Sequence, residues 1–185
     1  YRYETDKGYT SYFNEKGVSS KKTLMKTPLN GARVSSGYGN RKHPILGYTK
    51  MHKGIDFAAP IGTPVFAAGD GVIEFSGYNG SYGKYILIRH NSSYKTAYAH
   101  LSKILKRKLT RVKQGDTIGL VGSTGRSTGP HLHYEIIRSG KKVNPLKIKL
   151  PSSKNVPRSE NKKFNNHVLN IKNRIYIASK IIKKN

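Results

Sequence analysis

The sequence predicts an all-β protein, an antiparallel sheet or small barrel-like core with a groove, followed by one C-terminal amphipathic helix. Three observations carry this. From Pro28 to about Leu150, short apolar runs alternate with glycine-rich turns. No long segment of helical period interrupts them, which favours an antiparallel design over an α/β one. Beyond Pro151 the apolar residues change to steps of three and four.

Residues 1–27 read as short strands around a turn: Tyr9 to Phe13 is rich in β-formers, and Asn14-Glu15-Lys16-Gly17 supplies turn chemistry. The piece is too short for a domain, so it is the end of a preceding one or an edge hairpin packed on the main domain. Residues 28–150 form that domain, with strands over Val65 to Ala68, Gly71 to Ser76, Tyr85 to His90, Lys95 to Leu101, Thr117 to Val121 and His131 to Ile137. Gly69-Asp70-Gly71, Asn79-Gly80, Gln114-Gly115-Asp116 and Gly122-Ser123-Thr124-Gly125 connect them. Residues 151–185 begin with a polar linker and continue into the stripe Val168, Ile171, Ile175, Ala178 and Ile182, flanked by Lys and Arg. A helix docked on the domain or on a partner is preferred over a basic segment making peripheral contact with an anionic membrane.

A chain of 185 residues suits one domain with appendages and buries about 70% of its unfolded surface without crosslinks. The absence of cysteine excludes disulfides, thiolate zinc sites and a cysteine nucleophile. Histidine and carboxylate remain as metal ligands. The net charge of +26 predicts attraction to polyanions. Helix-turn-helix, zinc-finger and RNA-binding signatures are missing, so nucleic acid is not the expected partner. No apolar run approaches the ~20 residues of a membrane span. The chain starts at Tyr1 without an export signal and reads as a processed or truncated product.

The chemistry-bearing residues are histidines. Alternation from His131 turns Leu132, Tyr134 and Ile136 to the core and His131, His133 and Glu135 to the opposite face. Upstream, His52-Lys53-Gly54-Ile55-Asp56 places His52 and Asp56 on one face if the segment is one strand. Two such strands side by side make a metal site, since two imidazoles and one carboxylate suit Zn²⁺ and leave a fourth position open. On another strand Thr96, Tyr98 and His100 alternate with Ala97, Ala99 and Leu101, which puts a further histidine on a polar face. The glycine-rich run Gly122 to Gly129 is either a chain reversal or a groove wall offering backbone amides. His43, before Pro44, reads as structural, and Asn40, Arg41 and Tyr48 border the groove or simply precede the first ligand.

Ser35-Ser36-Gly37-Tyr38-Gly39, His52-Lys53-Gly54-Ile55-Asp56-Phe57-Ala58-Ala59-Pro60, Gly62-Thr63-Pro64-Val65, Tyr98-Ala99-His100-Leu101 and Gly122-Ser123-Thr124-Gly125 through His131-Leu132-His133 together resemble the lysostaphin and LytM type zinc metallopeptidases. Within that family the chain is most similar to murein DD-endopeptidases of Gram-negative bacteria. The resemblance implies a groove over an antiparallel sheet, zinc on its floor held by His52, Asp56 and His133, and His100 with His131 as the catalytic pair. It further implies peptidoglycan crosslinks as substrate, those joining D-Ala to diaminopimelate, and a periplasmic, cell-envelope or extracellular location. The alternative is a silent wall-binding module that activates another hydrolase, but relatives of that kind have lost ligands and this chain has all five residues.

Overall fold

β-branched and aromatic residues fill the central strands of this chain, and glycine-containing turns let the backbone reverse between strands. The computed structural model describes residues 1–42, 49–152 and 154–182. They group into two compact units, Leu24–Lys149 and a second formed by Tyr1–Thr23 with Leu150–Asn185.

The larger unit contains β3 (Arg33–Ser36), β4 (Gly39–Lys42), β5 (Thr49–His52), β6 (Ile55–Ala58), β7 (Pro64–Phe66), β8 (Gly71–Tyr78), β9 (Lys84–Arg89), β10 (Tyr94–Ile104), β11 (Arg111–Val112), β12 (Thr117–Val121), β13 (His131–Arg138) and β14 (Lys141–Val143). Ten of these form one sheet in the order β11-β8-β9-β10-β13-β6-β3, with β12 on β10 and β7, and β14 on β13. The pairings are antiparallel. The path runs open from β11 to β3, so the core is a sheet and not the barrel-like closure the strand count also allowed. β4 and β5 pair antiparallel in a separate two-stranded sheet.

One face of this sheet is the core. Leu132, Tyr134 and Ile136 of β13 are fully buried, as alternation requires, and stand beside Ile55 and Phe57 of β6. Each such side chain contributes about 1.5–3 kcal/mol on burial. Tyr98 of β10 lies opposite Tyr134, with ring centroids 5.4 Å apart.

Thr96 and Tyr98 therefore belong to the core, contrary to the polar face their side chains suggest. A directional relay satisfies their hydroxyls. His90 Nδ1 lies 2.8 Å from the Asp70 carbonyl, which only accepts, so that nitrogen carries the proton. His90 Nε2 must then accept from the Thr96 hydroxyl, Thr96 Oγ1 from the Tyr98 hydroxyl, and Tyr98 Oη from the Ala68 N–H, each at 2.8 Å. Burial pushes the His90 pKa down, which favours the neutral ring that the relay needs.

The smaller unit pairs β1 (Arg2–Glu4) with β2 (Thr10–Tyr12) and adds α1 (Asn161–Ile182). Tyr3, Phe13, Val156, Phe164 and Val168 make its core. Asn14 Oδ1 accepts the Lys16 and Val18 N–H groups, closing the expected turn. Glu160, at the foot of the helix, accepts from the Tyr3 hydroxyl and the Asp6 N–H. The helical stripe starts one turn before Val168, at Phe164, and its first half is what packs. Further along, Ile175 is 63% exposed. No described helix is long and apolar enough to cross a membrane.

Candidate active site

The site lies on the sheet face opposite the Tyr134 core. His131, His133 and Glu135 share that face of β13 by alternation, and β6 pairs with β13 so that Asp56 stands directly opposite His133. The sequence thus brings one imidazole and one carboxylate together through strand register alone.

His52 arrives differently. It ends β5, the chain turns at Lys53-Gly54, and Asp56 belongs to β6 in the other sheet, so the two ligand candidates do not share a strand. The turn needs its glycine. A Cβ on Gly54 would fall 2.6 Å from Cε1 of His133 and 2.7 Å from the Tyr134 carbonyl oxygen, closer than real contacts allow.

His52 Nε2 lies 3.1 Å from Asp56 Oδ1, His133 Nδ1 lies 2.8 Å from the same oxygen, and the two nitrogens are 3.0 Å apart. All three residues are buried. Their outer partners bear on the tautomers. His52 Nδ1 is 2.6 Å from the Gly37 carbonyl, and His133 Nε2 is 2.9 Å from Glu135 Oε1. The Gly37 carbonyl only accepts, so His52 Nδ1 carries a proton, whereas His133 stands between two carboxylates, Asp56 at Nδ1 and Glu135 at Nε2, that compete for its ring proton. Two imidazole nitrogens and a carboxylate oxygen within 3.1 Å of one another are suited to share a cation.

The spacing is close to the edge of a tetrahedron around a metal with bonds of about 2.0–2.1 Å, and the nitrogen and oxygen donors suit a borderline divalent ion such as zinc. These three residues are a potential metal-binding group among the described residues. The same crowding appears as pKa shifts. Burial pushes the Asp56 carboxyl up, but hydrogen bonds from His133 and His52 outweigh it and hold the group well below the usual carboxylate range. Burial lowers the His133 pKa, while Asp56 and Glu135 carry the net shift upward.

His100 and His131 stand beside this cluster with ring centroids 4.7 Å apart, and His131 Nε2 is 3.8 Å from Asp56 Oδ1. Strict alternation would leave His100 with Tyr98 on the core side. Instead its φ is +61°. At this residue β10 changes partner, from β13 at Ala99↔His133 to β12 at Leu101↔Val121, and the irregularity turns the ring to the His133 face.

The glycine-rich loop is more than a reversal. Its Thr124 carbonyl is 2.8 Å from His100 Nδ1, and its Gly129 carbonyl is 2.8 Å from His131 Nδ1. Both Nδ1 atoms must donate, so a neutral ring at either position carries its lone pair on Nε2. Burial, partly opposed by the Thr124 carbonyl and reinforced by His131 and His133, lowers the His100 pKa to about 4. His100 is neutral at pH 7.

Asn40 sits in β4 opposite Met51, with Arg41 paired to Lys50. His43 and Tyr48 lie outside the described residues. Sequence pattern assigned no role to Gly37, Thr124 or Glu135. For Glu135 the signal was present, since His131, His133 and Glu135 share one parity.

The model of peptidase family M23 matches residues 50–145, more than half of the chain. The chain belongs to this family. It is 47% identical to the peptidoglycan DD-endopeptidase ShyC of Vibrio cholerae over 79% of this chain and 34% of the relative. It is 53% identical to the DD-carboxypeptidase/endopeptidase Mpg of Neisseria meningitidis over 68% of this chain and 29% of the relative. The chain thus spans about a third of the length of these curated relatives. Among solved structures, a zinc-containing peptidase from Vibrio cholerae aligns over 81% of this chain and 47% of that one, with a TM-score of 0.67 and 39% identity. The catalytic domain of lysostaphin from Staphylococcus simulans aligns over 63% of this chain and 91% of that one, with a TM-score of 0.58 and 36% identity. The M23 assignment makes the chain a metallopeptidase by family.

Proposed function

We propose that this M23 unit is a zinc-dependent endopeptidase that hydrolyses peptide crosslinks of peptidoglycan, those between D-Ala and diaminopimelate, outside the cytoplasmic membrane. The observation that carries this reading is the convergence of His52 Nε2, Asp56 Oδ1 and His133 Nδ1 beside two further histidines. The names of the relatives supply the substrate class. In this reading residues 28–150 form the catalytic unit, with His52, Asp56 and His133 as zinc ligands and His100 with His131 as catalytic residues.

A zinc ion so held would polarise the scissile carbonyl and lower the pKa of water from about 15.7 to about 7. The protein's own groups do the remaining work. Thr124 and Gly129 fix the Nδ1–H of His100 and His131, so each ring presents Nε2 as a proton acceptor. The low pKa of His100 keeps that acceptor free at neutral pH. Once protonated, the same Nε2–H becomes a donor, suited to the carbonyl oxygen as charge develops on it or to the departing amine. The positive charge of the chain raises its local concentration near stem-peptide carboxylates.

Crosslinked muropeptide dimers incubated with the zinc-loaded chain test this. Mass spectrometry is expected to show monomers whose combined mass exceeds the dimer by one water. Dimers that persist unchanged in the presence of stoichiometrically bound zinc contradict the proposal.

A further inference from the structure

Resting on the zinc reading above, we propose that Glu135, locked in place by Lys142 and Tyr82, is a positioning residue that keeps the proton of His133 on Nε2 and its Nδ1 open to the metal. A neutral imidazole has a single N–H, and the two nitrogens of His133 face competing carboxylates. Asp56 lies 2.8 Å from Nδ1 and Glu135 lies 2.9 Å from Nε2. If the proton moves to Nδ1, it blocks the atom that would bind the metal. Glu135 is the group that holds it on the other side.

The carboxylate of Glu135 is suited to that task because it has little freedom. The residue is 1% exposed. Its Oε1 accepts from His133 Nε2, from the Tyr82 hydroxyl at 3.1 Å and from Lys142 Nζ at 2.8 Å. Lys142 Nζ is also 2.8 Å from Oε2 and 2.7 Å from Tyr82 Oη, so the ammonium closes a triangle on the carboxylate. Strand register explains the meeting. Lys142 of β14 stands opposite Ile137 of β13, two residues beyond Glu135 and therefore on its face of the sheet. Tyr82 comes from the turn before β9, and its ring centroid is 5.8 Å from that of His133.

A buried ion pair is weak evidence for stability, since well-packed apolar residues generally serve a core as well or better. What this pair does is orient one imidazole. A carboxylate behind a ligating histidine fixes its tautomer and raises its basicity, and losing such a partner typically weakens metal binding by about 10–100-fold. Lys142 offsets the charge of Glu135, so the group acts as an oriented acceptor while Asp56 supplies the anionic ligand.

The test is zinc affinity by competition with a chromophoric chelator, measured for the wild-type chain, for Glu135→Gln, and for Glu135→Leu combined with Lys142→Met. The double variant removes both charges together and is expected to bind zinc about 10–100-fold more weakly. Glu135→Gln keeps an acceptor oxygen without the charge and is expected to fall in between. Nitrogen-15 spectra of the zinc-loaded wild type should show a slowly exchanging His133 Nε2–H that the double variant loses. A Glu135→Gln variant and a double variant that both match wild-type affinity overturn this inference and leave the zinc reading standing. A wild-type chain that binds no zinc overturns both.

Discussion

Replacing His133 with alanine is expected to remove both bound zinc and endopeptidase activity. The substitution deletes the nitrogen that lies within 3.0 Å of both His52 Nε2 and Asp56 Oδ1, leaving two donors where three converged. Loss of a ligand itself should exceed the weakening of about 10–100-fold expected on loss of an outer partner. Elemental analysis after dialysis checks the metal, and muropeptide digestion checks turnover. Asp56→Ala should behave alike, because it removes the one anionic donor. Retention of a full zinc equivalent in both variants would show that the metal is held elsewhere. Circular dichroism separates this outcome from unfolding, since the buried residues on the other face of β13, Leu132, Tyr134 and Ile136, are untouched.

Replacing His100 with alanine is expected to have the opposite signature, with zinc retained and kcat reduced by about 10²–10⁴-fold, the range for a positioned acid or base. That corresponds to about 3–5 kcal/mol of transition-state stabilisation. The reason is geometric. His100 Nδ1 is committed to the Thr124 carbonyl, and the ring packs beside His131 and not within the triangle of candidate ligands. His131→Ala should give a similar loss, and the double variant should lose less than the product of the two, because the rings share one task. Zinc lost together with activity in His100→Ala would reassign His100 as a ligand.

Much of this site was legible in the sequence because strand parity is local. His131, His133 and Glu135 fall on one face by counting alone, and the apolar residues between them fall on the other. Family resemblance adds the partners that counting does not reach. What remained hidden depends on pairing between distant segments. Nothing in His52-Lys53-Gly54-Ile55-Asp56 says that the strand breaks at Gly54, although a glycine within a strand pattern is a signal of close backbone approach. The turn of His100 depends on β10 exchanging one neighbour for another, and that exchange is a property of the sheet. Thr96 and Tyr98 mislead in the same way, since their burial rests on His90, Asp70 and Ala68, which lie elsewhere in the chain.

The helix shows the same division. The step pattern marks it clearly, but which part of the stripe is covered depends on Tyr3 and Phe13 at the other end of the sequence. Glu135 falls on the site face by parity, but the Lys142 and Tyr82 contacts that surround it come from other segments of the chain.

The most direct test of the central claim is anomalous diffraction at the zinc absorption edge from crystals of the chain loaded with one equivalent of zinc. One strong peak is expected within bonding distance of His52 Nε2, Asp56 and His133 Nδ1, with His100 and His131 outside that distance. A peak at any other group of residues, or none at these three with the metal stoichiometrically bound, would contradict the account.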